Sequence, residues 1–358
     1  MIKLFIIGFS TDKGGVESYI TNLCSNLDRD IYNVIFCWPE MVIDGKKWIT
    51  PKNRHNYFSY RKFWKRFFKE NSFDVVYFNT CDIVSIDMLK FAKRANVKVR
   101  IIHSHSTDNQ FKLRFHHRIL ERINRKNISN YANVLLACSK EAGEWMFPYN
   151  EFVVINNGID LDKYSYNNDY RLECRSELNL NDEYVIGCLG RLDEQKNPIR
   201  TFKVFENIIQ KNPNIHCVFV GAGYYEEQIK QLIVSSKYKD NIHFMGPRDD
   251  AYKWYSAFDC LIMPSYFEGL PFSLIEAQCS GLPCVVSSAV SNKANICGLL
   301  NYVDLDESDD RWSDAILSNM VKERGDTKVL LTEKGYNIKQ TSKEVQNIIE
   351  GILYENNN

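Results

Sequence analysis

The sequence predicts an α/β protein made of two doubly wound parallel-sheet domains. Three observations carry that expectation. Short runs of Val, Ile, Phe and Cys recur along the chain, their apolarity is continuous rather than alternating, and longer amphipathic stretches separate them. A strand apolar at successive residues is buried on both faces, which is the condition of a parallel sheet covered by helices. Strand–helix alternation occurs twice over, which predicts two sheets rather than one. The length of 358 residues accommodates two domains, each with its own core.

The first set of predicted strands is 3–9, 32–38, 74–79, 98–103, 133–138 and 152–156. The second is 184–190, 216–221, 242–246, 260–265 and 283–288. Helical patterns lie between them, for example IRTFKVFENIIQ (199–210) and EEQIKQLIVS (226–235). The segment NNGIDLDKYSYNNDY (156–170) has no apolar period and is rich in Asn, Asp and Tyr, so the domain boundary is expected there, with domains at 1–165 and 166–340. Ligands of such sheets bind where the strands end at their carboxyl termini, so the loops after the strands are the places to look for chemistry.

Composition limits the alternatives. With 44% hydrophobic and 25% charged residues the chain is neither disordered nor collagen-like, and its size excludes a disulfide-stapled miniprotein. Lys+Arg and Asp+Glu both number 45, yet the neutrality is an average. Residues 1–166 carry a net charge of +8 and the remainder −8. The eleven cysteines include no CxxC pair, and many sit inside apolar runs, so they are expected to be free thiols in a reducing compartment. The opening MIKLFIIGF is too short for a secretory signal, and no apolar run reaches the ~18 residues of a membrane span. A cytoplasmic location follows as the expectation.

Three loops carry candidate chemistry. In STDKGGVESYITNL (10–23), Gly14 and Gly15 precede a helix whose first amides suit a phosphate; the competing reading is a plain turn. In GRLDEQKNP (190–198), Arg191 and Lys196 are cations at a strand end, suited to a diphosphate, although such residues are often ordinary surface charges. The third, PSYFEGLPFSLIEAQCSGLPCVVSS (264–288), holds Glu268 before a helix and Glu276 within it. Helix N-terminal amides can hold a diphosphate while two carboxylates accept hydrogen bonds from hydroxyls. Paired glutamates on a helix are usually a solvated face, but these lie between a strand end and an otherwise apolar helix.

With those motifs, and with NNGID (156–160) and VGAG (220–223), the chain resembles the family-4 glycosyltransferases, and IIHSHS (101–106) with ACSKEAGEWMF (137–147) resembles their capsular and exopolysaccharide branch. The resemblance implies the GT-B architecture, two Rossmann-like domains with the active site in the cleft between them, and a C-terminal helix (341–358) packing back toward the N-terminal domain. It implies retaining transfer of a hexosyl or N-acetylhexosaminyl group from a nucleotide-diphosphate sugar, a UDP-sugar, to a lipid-linked or saccharide acceptor, with no essential metal and no cofactor. By the same resemblance Arg191 and Lys196 bind the diphosphate, Glu276 the ribose and Glu268 the donor sugar. The amides of Gly269, Leu270, Pro271, Phe272, Ser273 and Leu274 mark the adjoining donor site (Pro271 itself has no N–H), and Gly15 faces the diphosphate from the other domain. A histidine near the donor sugar is expected after an N-domain strand; His103 and His105 both qualify. One departure stands out: Ala294 occupies a place where relatives tend to carry an acidic residue.

Other readings compete. A non-catalytic sugar-nucleotide or partner-binding protein would share the fold. A nicotinamide oxidoreductase would need a fuller glycine fingerprint than GAGYYE (221–226). A metal site at His103, His105, His116 and His117 lacks carboxylates or cysteines at ligand spacing, and the three Asp-x-Asp triplets at 28–30, 160–162 and 304–306 follow no suitable buried strand. Finally, YRKFWKRFFK (60–69) places aromatics and cations on opposite helix faces. It reads either as a contact with an anionic membrane surface at the inner leaflet, supported by the basic stretch 112–126, or as a helix whose aromatics pack on the sheet. No nucleic-acid-binding fold motif accompanies these cations, so no nucleic-acid partner is expected.

Overall fold

The computed structural model describes residues 1–9, 14–51, 56–109, 113–321 and 323–354. Residues 10–13 of the first glycine loop, Lys112 of the second basic stretch and the last four residues of the expected C-terminal helix lie outside them. The chain forms two compact units, Met1–Gly158 with Gly335–Asn358, and Ile159–Lys334. The sequence predicts limits at 165 and 340; the chain enters the second unit at Ile159 and leaves it after Lys334. Counted by these units the net charges are again +8 and −8.

The first unit runs β1 (Ile2–Ile7), α1 (Gly15–Ser25), β2 (Tyr32–Phe36), β3 (Glu40–Ile43), β4 (Lys46–Ile49), α2 (Tyr57–Glu70), β5 (Val75–Thr80), α3 (Asp87–Arg94), β6 (Val99–Ser104), α4 (Phe115–Asn127), β7 (Val134–Ala137), α5 (Lys140–Met146) and β8 (Val153–Val154). Six of these strands form a parallel sheet in the order β2-β1-β5-β6-β7-β8. The antiparallel pair β3–β4 is absent from the sequence expectation. It is closed by Asp44 and Gly45, both at positive φ, a two-residue turn whose twist matches that of the strands.

The aromatic stretch 60–69 lies in α2, and the structure corrects the idea that its aromatic face meets a membrane. Tyr60, Trp64, Phe67 and Phe68 are buried. The Phe67 ring lies 5.3 Å from that of Phe5 and 5.7 Å from that of Phe73. Burying aromatic area against the sheet is favourable, and it leaves only Arg61, Lys62, Lys65, Arg66 and Lys69 exposed.

The second unit runs α6 (Leu161–Tyr164), α7 (Asn168–Ser176), β9 (Tyr184–Leu189), α8 (Pro198–Lys211), β10 (Ile215–Val220), α9 (Glu226–Ser235), β11 (Ile242–Gly246), α10 (Ala251–Ala257), β12 (Cys260–Met263), α11 (Phe272–Cys279), β13 (Cys284–Ser287), β14 (Leu300–Val303), α12 (Asp309–Asn319) and α13 (Lys328–Glu333). Its six strands are all parallel, in the order β11-β10-β9-β12-β13-β14. The chain then returns to the first unit as α14 (Ile338–Tyr354), which packs against α1 and β6. In each sheet the strand order reverses once, between β1 and β5 and between β9 and β12. Loops leaving two such neighbours turn to opposite faces, which opens a crevice at the carboxyl ends.

A buried ionic cluster holds the other end of the second sheet. Asp259, fully buried just before β12, accepts hydrogen bonds from Arg171 Nη2 at 2.7 Å and from the Val185 amide at 2.8 Å, and pairs with Arg175 at 3.4 Å. It thereby ties α7, β9 and β12 together. Arg324 donates to the Ser280 carbonyl at 2.9 Å and to that of Phe258. Asp259→Asn removes the charge that compensates two guanidinium groups and is expected to destabilise the protein by about 3–5 kcal/mol. Urea unfolding followed by circular dichroism measures this; a loss below about 1 kcal/mol contradicts it.

Candidate functional site

The crevice between β9 and β12 is shaped by backbone contact. After β9 the chain passes through Gly190, and after β10 through Gly221, both at positive φ. A Cβ on Gly221 would lie 1.9 Å from the Gly190 carbonyl oxygen, so the two loops touch main chain to main chain and no larger residue fits. The Asp193 carboxylate then accepts from the Lys196 amide at 3.1 Å, and Asn197, in the left-handed region, caps α8 ahead of Pro198. This tight turn brings Lys196 back to the sheet, with its Nζ 4.0 Å from Met263 Sδ.

The loop after β12 is tied to that turn. The Tyr266 amide donates to the Gln195 carbonyl at 2.9 Å, and Gln195 Nε2 donates to the Phe267 carbonyl at 3.0 Å. Glu268 is bridged to Val290, and the Ser291 amide donates to its carbonyl at 3.1 Å. These contacts bring Lys196 Nζ to 2.7 Å from Glu268 Oε1, with the two side chains only 16% and 8% exposed. Arg191 differs: its side chain is largely in solvent and pairs with Asp193 at 3.3 Å.

Next to the pair, α11 begins at Phe272 with Pro271 in the capping position and no side chain capping it; the Leu274 amide donates to the Pro271 carbonyl at 3.1 Å, which leaves the amides of Phe272 and Ser273 for an anion. Gly269 is at no positive φ, and no other group lies within 4 Å of where its Cβ would be. The fold itself does not call for glycine there, whereas a group bound against the loop would. Glu276 lies one turn further along α11, half-buried. Its Oε2 accepts from the Tyr255 hydroxyl at 2.7 Å, and the Tyr164 hydroxyl also hydrogen-bonds the carboxylate. Burial pushes the Glu276 carboxyl up and both phenols up with it. Neither tyrosine was singled out by the sequence; they come from α10 and α6, and no local spacing marks them.

The remaining candidates are in the first unit or in turns. His103 is fully buried, and its Nδ1 lies 2.8 Å from the Tyr77 hydroxyl, which is itself 3.1 Å from that of Tyr19. His105 lies beyond the end of β6, half-buried, with Nε2 3.0 Å from Asn79 Oδ1 and its ring 4.1 Å from that of His103. Burial pushes His103 well down and His105 down to about 3, so both are neutral at pH 7. Of the two, only His105 keeps access to solvent. Gly14 caps α1 and Gly15 is its first residue. Among the described residues no cluster of three or more His, Cys, Asp or Glu is placed to hold a metal ion. Two of the aspartate triplets serve turns: Asp28 accepts from the Asp30 amide, and Asp160 caps α6. Ala294 is fully buried, its carbonyl accepting from Gln278 at 2.7 Å. All eleven cysteines are free.

Residues 13–163 match the model of Glycosyltransferase Family 4, and residues 171–318 match that of Glycosyl transferases group 1. The chain belongs to the family-4 glycosyltransferases. It is an enzyme of sugar transfer on the GT-B fold, which sets aside the oxidoreductase and binding-protein readings. This glycosyltransferase is 25% identical to Bacillus subtilis EpsF, a protein named as a glycosyltransferase, across 94% of this chain and 93% of that one. It is 34% identical, over 39% of its length and 37% of the relative's, to the Escherichia coli UDP-Gal:alpha-D-GlcNAc-diphosphoundecaprenol alpha-1,3-galactosyltransferase. Among solved structures it is similar to Anabaena HepE in complex with UDP-glucose, with a TM-score of 0.65 and 15% identity over 98% of this chain and 99% of that one.

The Glu276 environment has a consequence for stability. A carboxyl raised in the folded state binds its proton more readily there than in the unfolded chain. Its ionisation therefore costs stability as pH rises above its ordinary value of 4.5 and through the folded value. Glu276→Gln keeps the acceptor oxygen for the tyrosines and removes the charge. It is expected to raise Tm at pH 7 and leave it unchanged near pH 4; equal shifts at the two pH values in calorimetry contradict this.

Proposed function

We propose that this glycosyltransferase moves a hexosyl or N-acetylhexosaminyl group, with retention of anomeric configuration, from a UDP-sugar to a lipid-linked or saccharide acceptor in surface polysaccharide synthesis. The observation that carries the reading is the buried Lys196–Glu268 pair beside the uncapped start of α11, with Glu276 further along the same helix. The names of the relatives support it: one is a galactosyltransferase named for UDP-Gal and a diphosphoundecaprenol acceptor, and HepE was solved with UDP-glucose.

In this reading the α11 amides and Lys196 bind the donor diphosphate, and Arg191 swings in from solvent to join them. As the glycosidic bond breaks, negative charge grows on the leaving diphosphate and positive charge on the sugar. Fixed cations and amides stabilise the former without reorganising, so the residues themselves supply the charge that a metal ion supplies elsewhere. Lys196 is held by Glu268, whose second oxygen is left to accept from a sugar hydroxyl. Glu276 accepts from the ribose hydroxyls in place of, or beside, its tyrosine partners. Gly269 leaves room for the sugar against the loop. A front-face displacement, in which the leaving phosphate helps deprotonate the acceptor, accounts for retention without a carboxylate nucleophile.

Incubation with a panel of nucleotide sugars, scored by donor hydrolysis and mass spectrometry, tests this. UDP-sugars are expected to be consumed, and Lys196→Ala and Glu276→Ala each to lower turnover on the order of 10²-fold or more. Wild-type turnover in either variant contradicts the assigned site, and an inverted product linkage by NMR contradicts retention.

A further inference from the structure

A cavity of about 410 Å3 opens in the second unit beside the turn after β9, a volume ordinary for a small-molecule site. Three loops wall it, and each is held by hydrogen bonds or ion pairs. The loop after β10 brings Tyr225, whose amide donates to the Leu192 carbonyl at 2.9 Å. The loop after β12 brings Tyr266, tied to Gln195 by the contacts described above. The loop after β14 brings Asp306. Arg200 of α8 fastens that loop by pairing with Asp309 at 3.0 Å and donating to the Glu307 carbonyl. Glu194 of the turn and Asn197 and Lys203 at the start of α8 complete the polar lining. The cavity is thus formed before anything enters it, which lowers the cost of binding. None of Arg191, Lys196, Glu268 and Glu276 lines it: the turn sends Lys196 to the sheet and Glu194 to the cavity.

The fold leaves aromatic surface uncovered here. Tyr266 is 51% exposed, and Tyr224, whose ring lies 5.4 Å from that of Tyr225, is 90% exposed. An aromatic ring in water has an apolar face to cover. The charges around the rings decide what covers them. Glu194 and Asp306 repel an anion, and Lys203 repels a cation. A wholly apolar body strips water from all three and replaces none of its hydrogen bonds. A neutral molecule with a flat C–H face and a rim of hydroxyls meets every group. The rings take the C–H face, the carboxylates accept from the hydroxyls, and the Lys203 ammonium donates to them. Asn197 Oδ1 is already used in accepting from the Arg200 amide, which leaves its Nδ2 to donate. We propose that this cavity binds a neutral saccharide, apart from the donor site, with Tyr225 and Tyr266 against the sugar face and Glu194, Lys203 and Asp306 on its hydroxyls. Tyr224 extends the surface past the cavity, which suits more than one sugar unit. The saccharide comes from a glycan or is a free sugar, and the two share this chemistry.

The experiment is saturation-transfer NMR on the full chain with millimolar galactose, glucose, N-acetylglucosamine, lactose and N,N′-diacetylchitobiose, without and with excess UDP. At least one of these sugars is expected to receive saturation on its ring protons, and UDP to leave that signal in place. Tyr266→Ala is expected to weaken binding on the order of tenfold, whereas Tyr266→Phe, which keeps the ring, binds as the wild type does. Lys203→Ala with Asp306→Ala is expected to weaken it by a similar factor. Both of those side chains are exposed and neither is assigned to transfer, so thermal unfolding and the hydrolysis of UDP-sugar stay as in the wild type. A disaccharide that binds on the order of tenfold more tightly than its monosaccharide unit assigns the site to a glycan, and equal binding assigns it to a free sugar. No transfer to any of these sugars overturns the proposal, as does a signal that UDP abolishes. A signal that Tyr266→Ala and the double variant both leave unchanged overturns it as well, and displacement of the sugar by inorganic phosphate overturns it in favour of an anion site. The binding needs no donor, so failure of the UDP-sugar reading shows in the donor screen and failure of this proposal shows here.

Discussion

The second unit depends on a carboxylate that water cannot reach. Asp259 is fully buried, and an ion in that position is tolerable only because Arg171, Arg175 and the Val185 amide surround it. Because its partners lie on α7 and at the start of β9, it fixes how β9 and β12 are set against each other along their length. Those are the two strands at which the sheet order reverses. Their far ends release the loops that carry Lys196 and Glu268, so a charge cluster on one edge of the sheet governs geometry on the opposite edge. Parallel pairing of Cys260 with Ile186 and Leu261 with Gly187 transmits that setting rigidly.

The same economy of contacts separates the tasks of the site. Lys196 is neutralised by Glu268 when nothing is bound, so the free protein does not hold an uncompensated buried cation. Glu276 is served by two tyrosines, which satisfy its oxygens while leaving it close to the start of α11. Glu268 is thus compensated by a cation, whereas Glu276 has only hydroxyl partners and its ionisation still costs stability. Arg191 differs in being largely exposed, paired with Asp193 at 3.3 Å.

The frame of the protein was legible because buried parallel strands write themselves as unbroken apolar runs. All eleven predicted runs contain a strand. What escaped follows from physics that such runs do not carry. The β3–β4 hairpin is announced by its Asp44–Gly45 turn and not by apolarity, and β14 reads Leu-Asn-Tyr-Val, too short and mixed to stand out. The glycines, cations and carboxylates at the strand ends were legible as a candidate site, and the structure brings Lys196 and Glu268 together there. The tyrosines on Glu276 were not legible, because they are supplied by helices distant in the chain. Amphipathicity showed that α2 and α4 have two faces but not which face each buries. In α2 Tyr60, Trp64, Phe67 and Phe68 turn inward, with Phe67 against Phe5 and Phe73, while Tyr57 and Phe58 of the first turn stay exposed; in α4 a buried asparagine and a paired arginine turn inward instead.

The position of α14 has a consequence for how the protein is made. The second unit is one continuous stretch, Ile159–Lys334, and can acquire its full set of contacts as soon as that stretch has left the ribosome. The first unit is synthesised earlier but is finished later. Its helix α14, which buries Ile338, Val345, Ile349 and Leu353, is translated only after the whole of the second unit. Until then the groove against α1 and β6 stays uncovered. The order of synthesis is thus the reverse of the order of completion, and the nascent first unit exposes apolar surface throughout the time the second is being built.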